Sequence, residues 1–443
     1  MLPELLLPAG SRKMMDYAFA YGADAVYVGQ PRYSLRVRNN EFNRLENLAE
    51  AADKARAMNK QFYLACNISP HNDKVRSFYR DMEKVLEIKP DAVIMSDPGL
   101  IMMMKEKWPD QAIHLSVQAN AVNYATVKFW QQQGIERVIL SRELSIEEIS
   151  DIRKHCPDME LEVFVHGALC MAYSGRCLLS GYMTHRDSNQ GACTNSCRWK
   201  YQVHQAEESE SGDIIPLKSE QACSHNSSLK NQEEVPSSVF LLQEKGRPEQ
   251  YMPAFEDEHG TYIMNSKDLR AVQHVKCLSD MGIASLKIEG RTKSHFYVAR
   301  TAQVYRRAID EAAAGKPFDF KLMDELDSLA SRGYTEGFYR RHVPSEYQNY
   351  EQGNSMGRKQ QFVGEVIETN GPSDRLKIEV KNRFELGDEL ELMTPDGNFT
   401  LKVETLENLK GELIDVAPGS GHQIILPLPM KVDPAYALLM KTL

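Results

Sequence analysis

Eight short apolar runs recur through the first two thirds of the chain. They are ELLLPAG from Glu4, AVYVGQ from Ala25, FYLACN from Phe62, AVIMSD from Ala92, IHLSVQAN from Ile113, RVILSRE from Arg137, LEVFVHG from Leu161 and SLKIEGR from Ser285. Several are apolar at consecutive positions, as expected of parallel strands covered on both faces. Between them lie stretches such as SRKMMDYAFAYGA, LENLAEAADKARAMN, VRSFYRDMEKVLEI and IEEISDIRKHC. Their apolar residues return every three or four positions, with charges between, which predicts amphipathic helices. Eight strand-then-helix units predict an α/β fold, a (β/α)8 barrel over residues 1–345. An open doubly wound sheet is the alternative, but no GxGxxG follows any strand.

The pattern breaks twice. After the seventh run the chain enters a cysteine-rich stretch. A polar segment of about residues 200–250 follows, rich in Ser and Glu and read as a loop or partly disordered insertion. NSKDLRAVQHVKCLSDMG then predicts a helix capped near Asn265 or Ser266. From about residue 355 to 443 the period shortens to two, in QFVGEVIET, RLKIEVKN, DELELMT, FTLKVETLE and HQIILPLP. Turns such as PDGN separate these runs, which predicts a small C-terminal antiparallel β-barrel domain.

Composition narrows the class. With 42% hydrophobic and 26% charged residues in 443, the chain is globular rather than disordered or fibrous. No run reaches the ~18 apolar residues of a membrane span. MLPELLLPAG lacks the basic start of a signal peptide, so a cytoplasmic protein is expected. The net charge of −9 argues against nonspecific coating of nucleic acid. It leaves room for a local basic strip, and Arg291–Arg341 holds ten Lys/Arg against seven Asp/Glu. Tyr297, Tyr305, Tyr334, Phe338 and Tyr339 interleave with it. Such aromatics stack on unpaired bases, or else pack a helix onto the barrel.

In a (β/α)8 barrel the chemistry sits at the C-terminal ends of the strands. Reading those ends gives Asn67, Gln118, His166 and Glu289 as catalytic candidates. Tyr33, Arg36, Arg38, Arg142 and Arg291 are substrate-binding candidates, because guanidinium grips a carboxylate or phosphate with two hydrogen bonds. A small anionic metabolite is the expected ligand. Gln30, Asp97, Asn120 and Glu143 stand at the same ends. Eight cysteines in a reducing compartment are thiols or metal ligands. Four fall together as Cys170-x6-Cys177-x15-Cys193-x3-Cys197, a set that suits zinc or an iron–sulfur cluster alike. Cys223 is the reserve for the fourth position. No HExxH, GxSxG or GxxxxGK[ST] is present.

At these residues a resemblance becomes specific. ELEVFVHGALCMAYSGRCLLS carries Glu162, Phe164, Gly167, Ala168, Leu169, Cys170, Gly175, Cys177, Leu179 and Ser180 in the pattern of the collagenase-like peptidases of peptidase family U32. QGACTNSCRW, LLLPAG, GADAVYVG, SVQAN and SLKIEGR also resemble that family, across essentially the whole chain. AFEDEHGTYIMNSKDLR, RGYTEGF and the FVGEV-led tail are similar to its tRNA-hydroxylating subgroup. That resemblance implies an enzyme needed for 5-hydroxylation of wobble uridine in the tRNA anticodon region, with prephenate as the implied co-substrate. It also implies a four-iron four-sulfur cluster on Cys170, Cys177 and Cys193, with Cys197 assigned fourth. The family name implies a collagenase-like peptidase as one alternative. A non-catalytic RNA- or partner-binding scaffold with structural zinc is the other.

Overall fold

A computed structural model describes residues 2–34, 41–68, 70, 72–168, 172–173, 176–177, 201–208, 214–216, 238–244, 251–257, 260–263, 268–290, 293–329, 334–340, 360–367 and 371–443. All eight predicted runs are strands of one closed parallel barrel. They are β1 Glu4–Pro8, β2 Ala25–Gly29, β3 Gln61–Cys66, β4 Ala92–Met95, β5 Ile113–Leu115, β6 Arg137–Ile139, β7 Glu160–Ala168 and β8 Ser285–Ile288. Each pairs in parallel with the next, and β8 pairs with both β7 and β1 to close the ring.

A helix follows each strand: α1 Arg12–Ala20, α2 Leu45–Ala57, α3 Asn72–Leu86, α4 Pro98–Lys107, α5 Tyr124–Gln132, α6 Ile146–His155, α7 Val275–Asp280 and α8 His295–Ala313. A ninth, α9, spans Lys321–Asp327. The starts follow capping chemistry. Ser11 accepts from the Met14 amide, Asp97 from Leu100 with Pro98 behind it, and Ser145 closes a capping box with Glu148. Asp97 is thereby a helix cap.

Two expectations are corrected between β7 and β8. Asp268–Arg270 is a strand, not helix, and lies antiparallel to β7 with Leu269 opposite Gly167. β7 is nine residues long and slips register against β8 at Lys287/Ile288, so its last residues leave ladder groups that Asp268–Arg270 pair. The described residues of the polar segment are strands rather than loop. Tyr201–Glu208, Ile214–Pro216, Ser238–Glu244, Tyr251–Asp257 and Gly260–Ile263 form a five-stranded antiparallel sheet within a separate unit, Leu169–Lys267. Ser- and Glu-rich stretches around short runs such as VFLL and YMPAF masked the period of two.

The barrel interior carries charge. Arg137, at the start of β6, places Nη1 2.7 Å from Glu4 Oε1 and 3.3 Å from Glu162 Oε2, and Nε 2.8 Å from Glu160. Lys287 Nζ meets the other Glu162 oxygen at 2.7 Å. Tyr63 and Ser285 donate to Glu4 at 2.5 and 3.0 Å. Burial pushes the Glu4 and Glu162 carboxyls up. For Glu162 the Lys287 and Arg137 charges outweigh burial and hold it below its ordinary value. His114, edge-on to Tyr63 at 4.8 Å, is pushed down to about 3 by burial and then by Arg137.

The C-terminal domain is an antiparallel sheet of six strands: Gln360–Val366, Ser373–Val380, Glu389–Thr394, Gly397–Lys402, Gln423–Val432 and Leu438–Thr442. Its core includes Val363, Leu376, Ile378, Leu390, Leu392, Ile424 and Leu439. The domain docks on α1 and α8. Glu365 receives Lys13 at 2.5 Å, His295 at 2.8 Å and its own domain's Lys381 at 3.0 Å. Burial alone would raise this carboxyl, but those three donors hold it well below the usual range. Arg300, wholly buried on α8, reaches Glu391 at 2.8 Å. The Tyr21 hydroxyl donates to the carbonyls of Met393 and Tyr436 at 3.1 and 2.9 Å.

Two outcomes follow from the barrel interior. Glu162→Gln removes the carboxylate that Lys287 and Arg137 share and lowers unfolding free energy by about 3–5 kcal/mol in denaturant titration. Glu162→Met combined with Lys287→Met restores most of that loss, and equal losses in the single and double variants would refute the coupling. His114 is neutral in the fold below its unfolded value of about 6.5. As pH falls from 6.5 towards 3 only the unfolded chain takes up this proton, so stability declines by up to about 1.4 kcal/mol per pH unit. His114→Gln flattens that slope in thermal melts across this range.

Candidate active site

Polar side chains from the C-terminal strand ends converge in two groups. At β3, β4 and β5 they form a chain. Ser96 Oγ donates to the Asn67 carbonyl at 3.1 Å, while Asn67 Nδ2 and the Gln118 amide both reach Ser116 Oγ at 3.4 Å. Asn67 and Gln118 are half-buried and on the same rim, as expected from their strand positions. Asn120, just beyond, holds a left-handed backbone at φ 54, a conformation Asn tolerates better than most residues.

The second group lies across β6, β7 and β8. The Arg142 guanidinium carbon sits 3.8 Å from the centroid of the Phe164 ring, over its face. Its Nη2 is 3.3 Å from Glu289 Oε2. Phe164 is fixed from behind, since the Tyr339 hydroxyl donates to its carbonyl at 2.6 Å. Beneath it, Lys287 Nζ stands 5.5 Å from the ring centroid. The inner face of β7 therefore runs from Glu162 through Phe164 to Arg142 at the mouth. A cation stacked on a ring at a barrel mouth is chemistry that suits a small carboxylate.

His166 takes a different place from Arg142 and Glu289. It is buried among the rings of Tyr297, Tyr305 and Tyr334, with centroids 5.4–5.7 Å away. Gly167 beside it has φ +102, and a Cβ there would stand 2.2 Å from the Glu289 carbonyl oxygen. Glycine is what lets β7 and β8 touch backbone to backbone. The three tyrosine hydroxyls donate to the carbonyls of Glu289, Val165 and Leu326. At the 3.4 Å contact between Tyr305 Oη and His166 Nδ1 the ring is therefore the donor. That leaves Nε2 as a bare lone pair with no partner among the described residues. Burial, then Arg270 and Lys293, push the imidazole down to about 3. With its pKa held down, His166 is neutral at pH 7, a state in which Nε2 can accept a hydrogen bond.

The remaining candidates divide. Tyr33 is buried, with its hydroxyl 2.9 Å from both Ser77 Oγ and Asp81 Oδ2 on α3. Gln30 Oε1 accepts from the amides of Arg32 and Tyr33 at 2.6 and 2.7 Å. Both pin the loop after β2. Glu143 is pushed up by burial. Arg36, Arg38, Arg291, Cys170, Cys193, Cys197 and Cys223 lie outside the described residues, as does the side chain of Cys177. Among the described residues no cluster of His, Cys, Asp or Glu has a metal-binding arrangement. The Cys66 thiol is buried and pushed well up, so it is inert.

The basic strip is described only in part, since Arg291, Arg332 and Arg341 lie outside the described residues. Arg300 is buried, Arg306 pairs with Asp24 and Asp310, and Arg307 pairs with Glu311, Asp319 and Glu325. Tyr297, Tyr305 and Tyr339 are buried. These residues pack α8 and its neighbours rather than offering a stacking face. Sequence reading missed Phe164 as the seat of Arg142 and Glu162 as a buried ion. The signal was present: Glu160, Glu162 and Phe164 alternate along β7 and so share one face.

Comparison with known proteins places this geometry. The model of "Peptidase family U32" matches residues 10–349, and that of "Peptidase family U32 C-terminal domain" matches residues 358–439. The chain is 61% identical to the tRNA hydroxylation protein P of Escherichia coli (strain K12), over 99% of this chain and 96% of that protein. It is 59% identical to the protein of the same name from Haemophilus influenzae, over 100% and 96%. The 23S rRNA 5-hydroxycytidine C2501 synthase of Escherichia coli is 27% identical over 91% of this chain and 54% of its own length. No helix among the described residues is long and apolar enough to cross a membrane. With both family models matched along nearly its whole length, the chain belongs to peptidase family U32.

Proposed function

We propose that this chain is an enzyme that hydroxylates tRNA, placing the hydroxyl on C5 of the wobble uridine. The observation that carries the reading is identity of about 60% over essentially the full length of two relatives named for tRNA hydroxylation. The mouth supports it. Arg142, stacked on Phe164, offers a guanidinium fork to a small carboxylate, and prephenate is the metabolite proposed to occupy it. Arg36, Arg38 and Arg291 are the proposed further grips. Asn67 and Gln118, on the opposite rim, present amides that suit the hydrogen-bonding edge of a uracil.

Cys170, Cys177, Cys193 and Cys197 are proposed to hold a four-iron four-sulfur cluster. Four thiolates are the donor set such a cluster takes, and it would supply one-electron chemistry. His166 stands four residues before the first of them on β7. Its Nε2, with no hydrogen-bond partner among the described residues, suits acceptance of a hydrogen bond. The peptidase reading draws less support. The two relatives at about 60% identity are named for tRNA hydroxylation, not proteolysis.

Deleting the gene in a strain with no second route removes wobble 5-hydroxyuridine from tRNA digests read by mass spectrometry. The wild-type gene restores it and a Cys170→Ala gene does not. Normal hydroxyuridine in the deletion strain would defeat the proposal. Anaerobically purified protein is brown, with iron and acid-labile sulfide. A colourless protein with stoichiometric zinc would point instead to the scaffold reading.

A further inference from the structure

Four cations gather on the rim where the loop after β2 meets the mouth end of α3. Gly29 closes β2, and Arg32 follows, with its amide held by Gln30 Oε1 at 2.6 Å. Tyr33 ties this loop down twice. Its carbonyl accepts from the Ile68 amide at 3.0 Å, just beyond β3, and its hydroxyl lies 2.9 Å from both Ser77 and Asp81 on α3. Lys74 Nζ donates to the Arg32 carbonyl at 3.0 Å. Arg76 and Arg80 stand about one turn apart on the side of α3 opposite its buried Phe78, Met82 and Val85.

These cations outnumber their carboxylates. Arg32 and Arg80 share one, Asp81, at 2.7 and 3.2 Å. Arg76 meets Asp73 at 3.5 Å, with both side chains more than three-quarters exposed. Lys74 has a carbonyl and no carboxylate among the described residues. The balance is four cations to two anions, in a chain of net charge −9. On α8 it is reversed, since Arg306 and Arg307 are met by five carboxylates. Nor are the α3 cations loose surface chains. Burial alone would raise the Asp81 carboxyl, but Tyr33, Ser77, Arg80 and Arg32 hold it below its ordinary value. Asp81 therefore stays ionised and fixes two guanidinium groups that are themselves 52% and 71% exposed.

We infer that Arg32, Lys74, Arg76 and Arg80 form a phosphate-binding face on the rim of the mouth, along which the tRNA backbone lies while a base reaches the barrel. Guanidinium groups fit phosphate oxygens two at a time, and such contacts position a nucleic acid without reading its sequence. Residues four apart on a helix have Cβ atoms about 5–6 Å from each other, so Arg76 and Arg80 engage one stretch of backbone together.

This inference rests on the proposed tRNA substrate, and the two can fail separately. The test is equilibrium binding of the full-length protein to an unmodified transcript of a tRNA with uridine at the wobble position. Fluorescence anisotropy is read across a potassium chloride series, with a thermal melt of each variant. Arg76→Gln combined with Arg80→Gln weakens binding about tenfold at fixed salt. It also lowers the slope of log Kd against log salt by about one for each phosphate contact removed. Arg383→Gln combined with Lys410→Gln removes the same charge from exposed positions of the C-terminal domain and leaves both quantities as in wild type. Unchanged affinity and slope in a folded Arg76→Gln, Arg80→Gln protein overturns the inference while the tRNA reading stands. An equal loss in both double variants also overturns it, because total charge rather than this face would then be responsible. If the wild-type protein binds no tRNA, the inference falls and the hydroxylation reading is decided by the nucleoside digests alone.

Discussion

The barrel depends on a group of charges that cannot be left half paired. Glu4, Arg137, Glu162 and Lys287 come from β1, β6, β7 and β8, and they meet where apolar side chains would ordinarily fill the space. Each ion costs several kcal/mol to desolvate, so the site is tolerable only when all four strands are in register. The pairing across β7, β8 and β1 is therefore both the closure of the sheet and the neutralisation of its interior. With the lower layers filled by ions, Phe164 becomes the apolar plug above them and the floor of the mouth. The position of Arg142 thus follows from a pairing two layers below it.

α8 carries a second constraint. One face packs Tyr297 and Tyr305 against the barrel wall, and the other gives His295 and Arg300 to the C-terminal domain. The helix is rich in cations because it joins two bodies through buried carboxylates. Between residues 360 and 443 the C-terminal domain has eight Lys/Arg against fourteen Asp/Glu. The described cations of α8 are thus paired, and the C-terminal domain is acidic on balance.

Much of this was legible in the sequence, for identifiable reasons. The eight barrel strands are short apolar runs separated by capped helices, and both signals are local. Ser11, Asp97 and Ser145 stand where a helix start requires them. The charges inside the barrel were visible as Glu and Lys in apolar runs, but their partners come from distant strands. The same limit hid the fates of Tyr33 and Arg300: a hydroxyl or guanidinium reads as available until the fold shows which carboxylate it meets. The strands at Tyr201–Glu208 and Ser238–Glu244 were hidden by the polar residues around them, because period two in a mixed background is a weak signal.

The unit between β7 and β8 also has a consequence for how the chain is made. β8 begins at Ser285, pairs with Glu162 on one side and with Glu4 on the other, and lies beyond the whole of Leu169–Lys267. During synthesis seven strands are available while the eighth is not. At ordinary elongation rates that interval lasts on the order of ten seconds. Throughout it β1 and β7 are open edges and the interior carboxylates lack Lys287, which makes the nascent chain a natural client for a chaperone.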